Sequence, residues 1–223
     1  MLRILITAGA TSVAIDAARK ITNLAKGSTG HSIAIEAAKR GHQVVLATNN
    51  PHLLPDHNNI KTEFFDSYQN LHDLIKNKIL TTNFDAIIMT AAVSDYGCVG
   101  IYEFPDQNPL SETGNEKVGG SYPELWLKLK PLPKLIDLIR SAWEYRGILV
   151  KFKLEANKSE KDLLQLAEQS RLQSQADLMV ANRIEDFTLC AWLGPIQSRY
   201  ENILRPELAP KLIEAIENLG GKK

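Results

Sequence analysis

Hydrophobic residues fall along this chain in short unbroken runs, separated by longer stretches whose apolar positions recur at helical spacing. Runs of strand length lie near residues 2–8, 43–48, 60–65, 85–91, 147–153 and 176–181. Most are continuous rather than alternating, the pattern of strands covered by helices on both faces. Between them, Ser28 to Arg40 places Ile33, Ala34, Ala37 and Ala38 on one stripe and is closed by Gly41. Lys158 to Gln173 does the same through Leu163, Leu164, Ala167 and Leu172, with Ser159 and Asp162 spaced to cap its start. Further helices are predicted over Leu132–Trp143 and Pro206–Leu219. This alternation predicts a doubly wound, mostly parallel α/β sheet in one domain spanning 1–223.

Three segments depart from the alternation. Leu125, Leu127 and Leu129 alternate with Trp126, Lys128 and Lys130, which predicts a strand with one wet face. Phe187–Leu193 and Ser198–Leu204 flank Gly194-Pro195, predicting a terminal antiparallel hairpin. From Gly97 to about Tyr122 no period is sustained and Gly, Pro, Asn and Asp recur, so this stretch is predicted to be a long lid or flap.

Composition narrows the function. Apolar residues make up 44% and charged residues 23%, ordinary globular usage. Lys plus Arg equal Asp plus Glu at 26 each, which leaves no basic excess for a polynucleotide backbone but permits a small phosphorylated ligand on a local cluster of donors. Cys98 and Cys190 form neither a C-x-x-C pair nor a disulfide framework, so a reducing cytoplasm is expected. The apolar run at the amino terminus is too short for a signal peptide, and no segment approaches the roughly 18 uninterrupted apolar residues of a membrane helix. The five histidines lack metal-ligand spacing, and no protein metal site is expected.

Candidate chemistry gathers where strands end. Thr7-Ala8-Gly9-Ala10-Thr11 follows the first strand, where such a sheet places its first ligand loop; simple turn chemistry is the alternative. Asn23-Leu24-Ala25-Lys26-Gly27-Ser28-Thr29-Gly30 runs into the first helix, whose unpaired amides suit an anion, unless Ser28 or Thr29 merely caps it. Neither a G-x-G-x-x-G nor a G-x-x-x-x-G-K-[ST] run is present. Ala91 and Ala92 offer close backbone approach and Asp95 a carboxylate at the same edge, although packing and turn capping would use them equally well. Phe152-Lys153-Leu154-Glu155 and Val180-Ala181-Asn182 also close strands, and Lys128 and Lys130 read as surface charges.

Taken in order, these fragments resemble the phosphopantothenate–cysteine ligase (phosphopantothenoylcysteine synthetase) family. The resemblance rests on Ile6-Thr7-Ala8-Gly9-Ala10-Thr11, Ile15-Asp16-Ala17-Ala18-Arg19-Lys20-Ile21-Thr22-Asn23, Ala91 to Tyr96, Glu116-Lys117-Val118, Phe152 to Glu155 and Ala181-Asn182. It spans nearly the whole chain, and with no flavin-dependent decarboxylase segment ahead of it the expected form is stand-alone. The resemblance implies a Rossmann-like fold, a homodimer and a cytoplasmic enzyme of coenzyme A biosynthesis that joins 4′-phosphopantothenate to cysteine through an acyl-nucleotidylate, using CTP or ATP with Mg2+. It assigns Lys117 to charge stabilisation from the lid and Asn23 to the acyl intermediate. Gly9, Gly27, Ser28, Ala91, Ala92, Asp95, Phe152 and Asn182 would contact nucleotide, Asp95 and the two alanines alternatively pantothenate; Arg19, whose planar guanidinium can clamp a carboxylate or phosphate, and Lys26 are the substrate-binding candidates.

Two departures stand out. Ala25-Lys26-Gly27 replaces the Ser-Ser-Gly of many members, leaving Lys26 or Ser28 to compensate, and Gly119-Gly120 follows Lys117-Val118 where some members carry lysines. They motivate the alternative of a catalytically weakened nucleotide- or phosphopantothenate-binding homologue. A nicotinamide-dependent short-chain oxidoreductase fits less well, because none of the six tyrosines has lysine four positions on.

Overall fold

The computed structural model describes residues 1–104, 108–111 and 116–221. Its elements, in order, are β1 (Arg3–Ala8), β2 (Ser12–Ala14), β3 (Lys20–Thr22), α1 (Ser28–Lys39), β4 (Gln43–Thr48), β5 (Ile60–Phe64), α2 (Tyr68–Thr81), β6 (Ala86–Met89) and β7 (Tyr96–Glu103). They continue as β8 (Pro109–Ser111), β9 (Leu125–Pro131), α3 (Leu135–Ser141), β10 (Ile148–Glu155), α4 (Glu160–Gln173), β11 (Leu178–Arg183), β12 (Cys190–Ile196), β13 (Arg199–Leu204) and α5 (Leu208–Gly220).

The main sheet runs β13-β12-β11-β10-β6-β1-β4-β5. Strands β5 through β11 in that order are mutually parallel, and β12 and β13 add the antiparallel hairpin. The chain winds outward from β1 through β4 to β5, then returns to β6 on the other side of β1. That reversal is a topological switch point, and a crevice opens outside the carboxyl ends of the strands there.

Side chains alternate across each strand, so β1 sends Ile4 and Ile6 to one face and Leu5 to the other. Ile4 and Ile6 pack with Ile33 of α1 and Leu212 and Ile216 of α5; Leu5 packs with Leu71 and Ile75 of α2 and Ile139 of α3. Both faces are dry, which is why the strands read as unbroken apolar runs. Each fully buried Leu or Ile contributes on the order of 1.5–3 kcal/mol over an exposed one.

Several expectations needed correction. Helix α2 was not among the predicted elements; it buries Leu71 and Ile75 completely, and its local signal is the capping box, in which Ser67 and Asn70 bond each other's backbone. The expected lid is in part regular structure. Its β7 and β8 join β9 in a separate three-stranded antiparallel sheet, and a register shift between Cys98 and Gly100 breaks the alternation that would have revealed β7. Positions 105–107 and 112–115 of that stretch lie outside the described residues. The terminal hairpin turns at Gln197-Ser198, both at positive φ (48° and 67°), while Gly194-Pro195 lies within β12. The helix expected from Leu132 begins at Leu135, after Pro131 and Pro133 have held the chain extended.

Candidate active site

Two glycine loops bring α1 against the sheet edge. At Gly9 (φ 87°) a Cβ would fall 1.8 Å from Asn49 Oδ1, the atom that accepts a hydrogen bond from the Ala10 amide at 3.0 Å. Gly27 (φ 89°) immediately precedes α1, and a Cβ there would lie 2.9 Å from the Gly9 nitrogen. At Gly30 a Cβ would meet Ala8 Cβ and Thr90 Oγ1, both at 2.7 Å. Tight turn, close backbone approach and helix–strand packing are thus shared between two loops separated by the β2–β3 hairpin. A contiguous glycine fingerprint would have held all three.

The start of α1 is left open. Its N-cap is Gly27, no side chain caps it and no acidic residue occupies its first turn. Capping by Ser28 or Thr29 is therefore excluded: Ser28 is exposed and Thr29 Oγ1 accepts from Arg205 Nη2. The first-turn amides and the positive end of the helix dipole face the crevice without a protein counter-charge.

The loop after β6 forms the opposite wall and is stitched to the first loop. Thr90 Oγ1 donates to the Thr7 carbonyl (2.5 Å), Ala92 N to the Gly9 carbonyl (2.8 Å), and Ser94 N to Thr11 Oγ1 (2.8 Å). Asn23 Nδ2 donates to the Ala92 carbonyl at 3.2 Å, which fixes the Asn23 side chain beside this wall.

Strands β10 and β11 supply the third wall. Asn182 is buried, donates to the Lys153 carbonyl (3.2 Å) and accepts at Oδ1 from Arg205 Nη1 (2.9 Å). Arg205 also lies 4.1 Å from the centre of the Phe187 ring, and burial pulls its pKa down. Lys151 is only 7% exposed, and its ammonium donates to the Ser170 carbonyl (3.0 Å) and to Ser174 Oγ (2.5 Å). Burial pushes Lys151 down to about 8; the Asp137 carboxylate opposes this, and Lys134 and Lys153 add to it. Lys153 is paired with Glu155 at 2.7 Å.

These walls enclose a cavity of about 540 Å³, within the range of small-molecule sites. Gly9, Lys26, Gly27, Ser28, Ala91, Ala92, Asp95, Phe152 and Asn182, all singled out in the sequence, line it. Asn23 borders it, in a recess of about 240 Å³ that shares Val93 and Asp95 with the main cavity. A side chamber of about 160 Å³ shares Asp95, Lys134, Lys151 and Phe152 with the main cavity and is floored by Met89, Leu135 and Ile136. Among the described residues, Lys26, Lys134 and Lys153 line the main cavity against one carboxylate, Asp95, so the space accepts anions, while the buried Lys151 on the same wall gives hydrogen bonds to Ser170 and Ser174.

Arg19 and Lys117 do not line it. Arg19 pairs with the buried carboxylate of Asp16 and donates to the Val118 carbonyl (3.0 Å), while Val118 N donates to Asp16 Oδ2 (3.1 Å). The Arg19 guanidinium and backbone N–H donors hold Asp16 far below the usual carboxylate range. Lys117, exposed, is thereby tethered to the turn of the β2–β3 hairpin, and Asn23 follows the other end of β3, roughly 13 Å along an extended chain. Sequence reasoning missed Lys151, Lys134, Asp16 and Arg205. Lys151 was visible as a charge inside the apolar run Ile148-Leu149-Val150, a position that faces a core or a ligand.

Fold and cavity together define an α/β protein of the doubly wound class with a ligand crevice at its switch point. The sequence profile of the DNA/pantothenate metabolism flavoprotein C-terminal domain matches residues 1–190, and the chain belongs to that family. The motif resemblance therefore holds at the level of the family. A relative from Thermococcus kodakarensis, the coenzyme A biosynthesis bifunctional protein CoaBC, is 32% identical over 187 residues, 83% of this chain. The chain spans 42% of that relative's length. Among solved structures, the DNA/pantothenate metabolism flavoprotein from Streptococcus pneumoniae superposes with a TM-score of 0.87 at 27% identity, covering 98% of this chain and 100% of that one. A Cab2 mutant in complex with phosphopantothenate-cysteine shares the fold at a TM-score of 0.77 and 16% identity, covering 99% of this chain and 87% of the other.

Proposed function

We propose that this chain is a phosphopantothenate–cysteine ligase acting in cytoplasmic coenzyme A biosynthesis. The observation that carries the reading is the convergence of an uncapped helix N-terminus, three lysines (Lys26, Lys134 and Lys153) and the Asn23-bearing loop on one cavity. The family, the coenzyme A biosynthesis relative and the phosphopantothenate-cysteine complex of a protein with this fold support it.

A carboxylate resists attack by an amine because it is anionic and its leaving group would be oxide, so it is activated first. Its oxygen attacks the α-phosphorus of CTP or ATP, pyrophosphate leaves, and the cysteine amine then displaces the nucleotide from the acyl carbon. Both steps place charge on oxygens, which preorganised donors and cations stabilise. The α1 amides with Ser28 and Lys26 take phosphate oxygens, and Lys26 supplies by charge what the missing loop hydroxyls supply in other members. Phe152 and Asn182 border the nucleotide, Ala91, Ala92 and Asp95 shape its approach, and Asn23 holds the acyl intermediate.

Among the described residues no cluster of three or more His, Cys, Asp or Glu is placed to hold a metal. Mg2+ would come with the triphosphate as co-substrate and supply charge neutralisation on its phosphate oxygens. Lys117 reaches the site from the tethered lid, and Arg19, as that tether, acts on an anionic group only if the lid releases it. A homodimer suits the three-stranded sheet, which leaves Tyr96, Trp126 and Leu129 about half exposed and stacks Phe104 on Trp126 at 5.0 Å.

The test is pyrophosphate release by the purified protein with 4′-phosphopantothenate and CTP or ATP, with and without cysteine. Release that requires phosphopantothenate, and amide product that further requires cysteine, is expected, and the preferred nucleotide is read from the same assay. Nucleotide binding without turnover would instead support the weakened homologue.

A further inference from the structure

Lys151, on the wall of the side chamber, begins a hydrogen-bonded chain that the roles above leave unused. Lys151 Nζ donates to the Ser170 carbonyl and to Ser174 Oγ, and the Ser174 hydroxyl in turn donates to Asp137 Oδ1 at 2.5 Å. Asp137, half-buried on α3, also accepts from the exposed Gln173 side chain at 3.2 Å. The chain thus runs from the cavity wall to the molecular surface through β10, α4 and α3. Two of the three positions on Lys151 Nζ are spent on the Ser170 carbonyl and Ser174 Oγ; the third carries a proton in the ammonium and the lone pair in the neutral amine, so loss of one proton keeps both hydrogen bonds and frees a lone pair.

We propose that Lys151 is the general base that takes a proton from the ammonium group of the amino-acid acceptor, with Ser174 and Asp137 orienting it and conducting the proton outward. This rests on the ligase reading and adds to it the residue that makes the acceptor nucleophilic. The step balances simply. The acceptor's R–NH3+ gives one proton to neutral Lys151, becoming R–NH2, and Lys151 becomes the ammonium. The freed lone pair forms the C–N bond, the acyl C–O bond breaks with its electron pair leaving on the nucleoside monophosphate, and the second N–H proton leaves with the phosphate or to water.

The surroundings favour the role. Burial, assisted by Lys134 and Lys153 and opposed by Asp137, keeps Lys151 about 8, close to where a base for an amine works at neutral pH. Asp95 lines the same chamber and offers a negative group to the incoming ammonium, while Lys134 offers a positive one to its carboxylate. The floor of Met89, Leu135 and Ile136 is apolar and suits a thiol-bearing side chain.

Three rates on the wild type and on Lys151→Met separate this role from others: pyrophosphate release with phosphopantothenate, amide formation with cysteine, and hydroxamate formation with hydroxylamine, an amine largely unprotonated at neutral pH that needs no base. Lys151→Met is expected to keep pyrophosphate release and hydroxamate formation within a few-fold, and to lose amide formation by two or more orders of magnitude. In the wild type the cysteine-dependent step is expected to rise with pH up to about 8, while the hydroxylamine-dependent step stays flat. Parallel loss of both products in the variant, an unchanged cysteine rate, or a wild-type cysteine step without that pH limb would each overturn the assignment. A wild-type protein that releases no pyrophosphate would overturn the ligase reading beneath it.

Discussion

In the proposed reaction Asn23 serves the second half-reaction alone. It is exposed, donates to the Ala92 carbonyl and sits in the recess that shares Val93 and Asp95 with the main cavity. A group there acts on whatever the first step leaves behind, so Asn23→Asp, which replaces the amide donor by an anion, is expected to preserve pyrophosphate release while amide formation fails. Equal loss in both half-reactions, measured by separate assays of pyrophosphate and amide product, would remove Asn23 from the second step. The glycines and small residues of the site were legible from sequence because strand ends with Gly or Ala-Ala announce close backbone approach. Buried charges were harder, since Lys151 and Arg205 owe their roles to partners distant in the chain, and Asp16, though paired with the nearby Arg19, owes its place to Val118 about a hundred residues on.

At the scale of elements, the β2–β3 hairpin is an insertion between the first strand and its helix, and it carries both the Asn23 loop and the anchor for Val118. Its strands are too short to show a period, so only the family resemblance pointed to that segment. The central parallel strands and helices α1 and α5 were legible because each buries a full face or stripe; α4 buries only Leu163 and Ala167 completely, with Leu172 of the expected stripe exposed, and showed itself as much by the Ser159 cap, whereas the capping box of α2 went unread. Lys117→Ala is expected to cut the overall rate by roughly two to three orders of magnitude, the scale of losing one charge-stabilising donor. Asp16→Asn, which removes the carboxylate that holds Arg19 and the Val118 amide, is expected to reproduce part of that loss and to make Lys117 a faster site for trypsin. A full rate in Lys117→Ala, or an unaltered rate and digestion pattern in Asp16→Asn, would separate the lid from catalysis.

For the molecule as a whole, the strand order places every carboxyl end of the parallel sheet on one rim, and the order itself could not be read from the sequence because pairing partners lie far apart in the chain. The account stands on that rim being where ligands bind. A second groove, of about 490 Å³, lies between the β12–β13 hairpin and α5 and is lined by Gln197, Glu201, Lys211 and Glu214 among others. It offers mixed charge and no open helix N-terminus. Amide hydrogen exchange, followed with phosphopantothenate and a nucleoside triphosphate but no cysteine, discriminates between the two. Slowed exchange over residues 24–30, 90–95 and 151–154 is predicted; unchanged exchange there, or slowing confined to the α5 groove, would contradict the account.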